Sequence, residues 1–119
     1  GNPHGVIFVD EIDDDLVLRQ GPLLEEAPIF PAKANIEFAK VLDRSTIEMR
    51  VWERGTGETL ACGTGACATA VAAALNGLTG REVDVLLRGG TLHIRWDETD
   101  GHVFMTGPAA FICDGVFYL

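Results

Sequence analysis

The sequence predicts an α+β domain in which a curled, mostly antiparallel sheet surrounds a buried central helix. Two observations carry that prediction. Residues 64–75 are small and apolar, rich in alanine, and no charge follows until Arg81. A helix that is apolar on every side belongs in the interior, enclosed by sheet. Around it lie short alternating or continuously apolar segments separated by turn residues, which is the pattern of strands. A length of 119 residues allows one domain of ordinary size.

The elements follow in order. Val6-Ile7-Phe8-Val9 is a short apolar strand, closed by an acidic run at residues 10–15 that reads as a solvated loop or helix start. Residues 16–27 hold two short helical turns either side of a break at Gly21-Pro22, ending before Pro28 and Pro31. Residues 35–42 alternate, with Ile36, Phe38 and Val41 facing a core. Asp43-Arg44-Ser45 turns the chain into a second strand, 46–53, with Ile47, Met49, Val51 and Glu53 on one face. A glycine-rich passage, 55–65, leads into the apolar helix, which stops at Asn76-Gly77. The rest is a meander: strands at 82–88 and 91–97, a turn at 98–101, and strands at 102–106 and 111–117.

Composition narrows the function. Apolar residues make up 47% and charged ones 23%, which excludes a disordered or collagen-like chain. The net charge of −9 argues against nucleic acid and anionic membrane as partners, since phosphate binding relies on clustered Lys and Arg. The apolar run is too short to cross a bilayer, and no secretory leader pattern opens the sequence. Three cysteines make a poor disulfide framework, so a reducing, cytoplasmic setting is expected.

Chemistry concentrates at the start of the apolar helix. Cys62 sits where the first backbone N–H groups lack intrahelical partners and the helix dipole favours a thiolate. Gly63 and Gly65 let the same N–H groups approach a ligand carboxylate closely. One element would hold an anion and activate a sulfur beside it. Glu53-Arg54, at the end of a strand leading into this loop, suits an amino acid: Arg grips a carboxylate and Glu an ammonium group. Against these stand plainer readings, a small apolar cysteine at a tight turn and two solvated charges at a sheet rim. Cys67, one turn into the helix, and Cys113 read as core or surface residues. Asn35, before a strand, reads as a turn residue. Cys62 and Cys67 with His4, His93 and His102 match no zinc pattern, so no metal is expected.

The block running from Trp52-Glu53-Arg54-Gly55 through Leu60-Ala61-Cys62-Gly63-Thr64-Gly65 to Ala66-Cys67-Ala68 resembles the signature of diaminopimelate epimerases. Gly1-Asn2-Pro3-His4, Asn35-Ile36-Glu37-Phe38 and Met105-Thr106-Gly107-Pro108 resemble three further blocks of that family, in the same order. The resemblance implies a cofactor-independent epimerase that interconverts LL- and meso-diaminopimelate in lysine and peptidoglycan biosynthesis. It also implies the family's fold, cytoplasmic location (plastid stroma in a plant) and homodimer. Enzymes of this family place two cysteines on opposite faces of the substrate α-carbon, one removing the proton and the other returning one. Cys62 matches the second of the pair. Asn2, Asn35, Glu53, Arg54, Gly63 and Thr64 match substrate-binding positions. His4 and Glu53 match residues that tune the cysteine acidities.

By the same resemblance, residues 1–119 correspond to the second half of a two-domain enzyme. The first half, with its own cysteine, would be the partner that completes the site, and residues 109–119 would form a strand returning to it. Cys67 cannot replace the first cysteine, because it lies on the same helix and the same side of a substrate bound at its start. Two other functions stay open on the residues: a proline racemase-like epimerase, which shares a short Cys-Gly-Thr-Gly motif, and a non-catalytic half-site module needing a partner chain. Phenazine-biosynthesis isomerases resemble the fold but have no use for a thiol at Cys62.

Overall fold

Two segments of the chain cross from one strand to a parallel neighbour, and each does so through a helix on a different face of one sheet. The computed structural model describes residues 4–25, 35–53, 57–59, 63–106 and 115–117. Among them, eight strands form one sheet in the order β1-β2-β3-β5-β6-β7-β8, with β4 paired to β3 beside this path. The strands are β1 (His4–Phe8), β2 (Asn35–Asp43), β3 (Thr46–Glu53), β4 (Gly57–Thr59), β5 (Glu82–Leu87), β6 (Gly90–Trp96), β7 (Val103–Thr106) and β8 (Gly115–Phe117). Only the pairs β1–β2 and β3–β5 are parallel; the other pairings are antiparallel.

The first crossover is a π-helical turn, Leu16–Gln20, running into the short helix α1 (Gly21–Glu25). Asp13 starts it by accepting the Leu16 N–H at 2.8 Å. The break expected at Gly21-Pro22 does not occur. Gly21 has helical dihedrals and its N–H bonds the Val17 carbonyl, and Pro22 falls in the first turn of α1, where a missing N–H costs little. This segment packs outside the sheet, where Val17, Ile36 and Phe38 form a core with Ile7, Ile12, Leu16, Leu24 and Trp52.

The second crossover is α2 (Gly63–Leu75). Its C-terminus closes as the Asn76-Gly77 signal predicts: Gly77 adopts φ +72°, and the N–H groups of Gly77 and Leu78 bond the carbonyls of Ala74 and Ala73. The helix contacts β1, β2, β3, β5, β6 and β7. A flat sheet would hold β1 and β7 about 24 Å apart at the usual ~4.8 Å strand spacing, whereas a helix is only about 10 Å across. The sheet must therefore curl around α2. Alanine makes this close approach feasible, and Ala66, Cys67, Ala70, Val71 and Ala73 lock against Ile47, Met49, Val51, Val83, Val85, Leu92, Ile94, Val103 and Met105.

The enclosure is not complete, which corrects the expectation of a helix buried on all sides. Thr64 is exposed, Ala68 and Ala72 are half-buried, and Leu75 is 72% exposed. Their spacing places them along one stripe of α2 that the sheet leaves uncovered.

Candidate active site

Parallel pairing of β3 with β5 forces α2 to run back along the sheet, so the helix starts at the end where β3 finishes. Register brings other elements to the same end. His4, the first residue of β1, lies opposite Asn35, the first of β2, and Ile36 lies opposite Trp52 near the end of β3. From the far side comes β7, whose Met105 is so close to the helix start that a Cβ on Gly63 would lie 2.9 Å from its Cε. Glycine at 63 thus lets the first turn of α2 pack onto the Met105 thioether.

The described site residues occupy that end. His4, Val6 and Phe8 share one face of β1, and Asn35, Glu37 and Ala39 share one face of β2. Val6, Phe8 and Ala39 pack in the α2 core, so this is the α2-facing surface. Asn35 is buried there, 7% exposed; it is the first residue of a strand rather than a turn residue. Gly63 and Thr64 open α2, where the dipole places partial positive charge. Glu53 ends β3 opposite Gly57 of β4, a short strand within the glycine-rich passage that no sequence pattern foretells. Asn2, Arg54, Cys62 and Cys113, with the Glu53 side chain, lie outside the described residues.

Cys67 is in the core as expected, 3% exposed, with Sγ 3.9 Å from the Met105 Sδ. Among the described residues no cluster of His, Cys, Asp or Glu could hold a metal. His93 lies between Asp84 and Glu82, and His102 beside Asp100. No described helix is long and apolar enough to cross a membrane.

One residue of the site end escaped the sequence reading. Alternation with Ile36 and Phe38 sends Glu37 to the opposite face, which a one-sided sheet would leave in solvent. Here it is fully buried and hydrogen-bonded to His4 Nδ1. The signal available was a single acidic residue between two apolar ones in a strand flanked by helices on both sides.

The sequence and fold both match known proteins. The family model for diaminopimelate epimerase matches residues 1–112. Diaminopimelate epimerase of Desulfovibrio desulfuricans is 57% identical over 119 residues, all of this chain and 42% of that protein. The enzyme of Phocaeicola vulgatus is 56% identical over 115 residues, 97% of this chain and 41% of its own length. The chain therefore spans about two-fifths of the length of these relatives. A crystal structure of a Bacillus anthracis phenazine biosynthesis protein of the PhzF family shares the fold, with TM-score 0.65 and 22% identity over 90% of this chain and 34% of that one. With the family model covering nearly the whole chain and the helix-start glycines at the convergence of β1, β2, β3 and β7, this chain belongs to the diaminopimelate epimerase family.

Proposed function

We propose that this chain supplies one half of the active site of a diaminopimelate epimerase, interconverting the LL and meso forms without a cofactor. What supports the reading is the convergence of His4, Asn35 and the start of α2 at one end of a fold whose sequence matches that family over residues 1–112. The other half, with the opposing cysteine, corresponds to the relatives' length that this chain does not span. Within residues 109–119 the described strand, β8, pairs with β7 at the sheet edge; in this reading the segment returns to the missing half. The assembled enzyme is a cytoplasmic homodimer in this reading.

The chemistry is proton transfer at carbon. A thiolate on one face takes the α-proton and becomes a thiol, and the electron pair left on carbon delocalises into the α-carboxylate. The thiol on the opposite face then donates its proton to carbon and becomes a thiolate, which inverts the centre. Cys62 is one of these two sulfurs. Main-chain N–H groups at Gly63 and Thr64 bind the carboxylate as its charge grows; a donor of this kind is worth about 3 kcal/mol of transition-state stabilisation. Asn2, Asn35, Glu53 and Arg54 hold the amino acid, Arg54 gripping a carboxylate and Glu53 an ammonium group. His4 and Glu53 tune the acidity of the sulfurs.

Two-sided proton transfer gives the test. The 119-residue chain assayed alone does not convert LL- to meso-diaminopimelate, whereas the enzyme with both halves does. Turnover by the chain alone would overturn the half-site reading, and no turnover by the complete protein would overturn the activity. Arg54→Ala in the complete enzyme raises KM about tenfold or more with a smaller change in kcat. An unchanged KM would return Arg54 to a solvated charge at the sheet rim.

A further inference from the structure

We infer that Glu37 is the positioning residue for His4: its buried carboxylate accepts the Nδ1–H, fixing the imidazole's tautomer and leaving Nε2 as the nitrogen that serves the site. This rests on the proposed epimerase reading, in which His4 tunes a catalytic sulfur.

Three observations carry it. Glu37 is 0% exposed, and the His4 side chain is 13% exposed. They lie on one face of adjacent parallel strands, Glu37 two residues beyond Asn35, the register partner of His4. Their Nδ1 and Oε1 atoms are hydrogen-bonded. Imidazole nitrogen is the more basic of the two groups, so the shared proton is assigned to Nδ1 and the carboxylate accepts it. Nε2, on the other side of the ring, then carries the lone pair.

Stability alone is a poor reason for this pair. Burying a carboxylate carries a large desolvation penalty, and apolar residues of similar size usually do as well or better in its place. On the same strand face, Ala39 packs against α2 without any polar group. What Glu37 adds is orientation. His4 begins its strand, where the backbone restrains the ring least, and the carboxylate clamps it.

The test combines imidazole 15N NMR with kinetics, both on the complete enzyme. In the neutral form of His4, Nδ1 is expected to give the protonated, pyrrole-like signal and Nε2 the bare, pyridine-like one. Glu37→Gln, which keeps the shape but loses the charge, shifts His4 toward the Nε2–H tautomer and lowers kcat about tenfold or more, with KM nearly unchanged. Glu37→Asp, which keeps the carboxylate, recovers part of that loss. A wild-type His4 already in the Nε2–H tautomer would overturn the inference even if the variants failed to fold. A shifted tautomer with unchanged kcat would overturn it while leaving the epimerase reading intact. Absence of diaminopimelate turnover by the wild-type enzyme would overturn both.

Discussion

His93 shows how single residues in this acidic protein answer to pH. Its Nδ1 lies 2.7 Å from Asp84 Oδ1 and its Nε2 2.7 Å from Glu82 Oε2, across the β5–β6 ladder. The imidazolium can donate to both at once, whereas neutral imidazole can donate to one. Hydrogen bonding to Asp84, then to Glu82, therefore raises its pKa above the ordinary 6.5, with partial burial opposing. A folded pKa above the unfolded one means that the stabilisation is complete below about pH 6.5 and is lost as pH rises through the folded value. His93→Gln should remove this dependence, flattening the fall in Tm as the medium is taken from pH 6 upward. The effect is modest, because the ring is about half exposed (45%). A variant with the wild-type slope would contradict the assignment. Asp97 works in the opposite direction: the Thr99 N–H and Arg95 hold its carboxyl below the usual range, so its contribution is lost only as pH falls through that lowered value.

At the scale of elements, the two crossovers are fixed by close approaches of different stiffness. A Cβ on Gly21 would lie 2.6 Å from Cγ and Cδ2 of Trp52, whose ring packs against the Val17–Ile36–Phe38 core and cannot swing aside. Gly21→Ala should therefore destabilise by about 1–3 kcal/mol through overpacking, despite the better helix propensity of alanine. Chemical denaturation measures it; a change under about 0.5 kcal/mol would show that the segment moves freely over β3. Among the described residues, Gly63 meets only the flexible tip of Met105, so Ala there shifts a thioether rather than a ring.

The same comparison shows what sequence can and cannot convey. The central helix was legible within one residue at its start, because an uncharged, alanine-rich run marks a helix packed largely in the interior and Asn76-Gly77 supplies its cap. The span of β3 was legible in full from its alternation. The helical character of Gly21-Pro22 was not, since those residues break helices locally and only packing on β3 carries the chain through. β4 was not, because three residues in a glycine-rich passage form a strand only by pairing with β3. Glu37 was hidden for a similar reason: alternation assigns a residue to a face but does not say that both faces are covered.

Across the whole molecule, the curl of the sheet leaves one stripe of α2 open, from Thr64 through Ala68 and Ala72 to Leu75. The start of that stripe coincides with the end where His4, Asn35 and Glu37 gather. In the proposed enzyme the opposing cysteine approaches from that end, so one fold presents an anion site and a sulfur while the other supplies the second sulfur. Such a division makes catalysis a property of the assembled protein, while the core around α2 is built from this chain alone.

The most direct test of that account is deuterium incorporation at the α-carbon of diaminopimelate in D2O, comparing the complete enzyme with its Cys62→Ala variant. If Cys62 is one of the two sulfurs, the wild-type product carries solvent deuterium. The variant then loses epimerisation by at least about 10²–10⁴-fold, the usual contribution of a general acid or base, with its fold intact by circular dichroism. A Cys62→Ala enzyme that epimerises and incorporates deuterium at the wild-type rate would contradict the assignment of Cys62 and the half-site built around it.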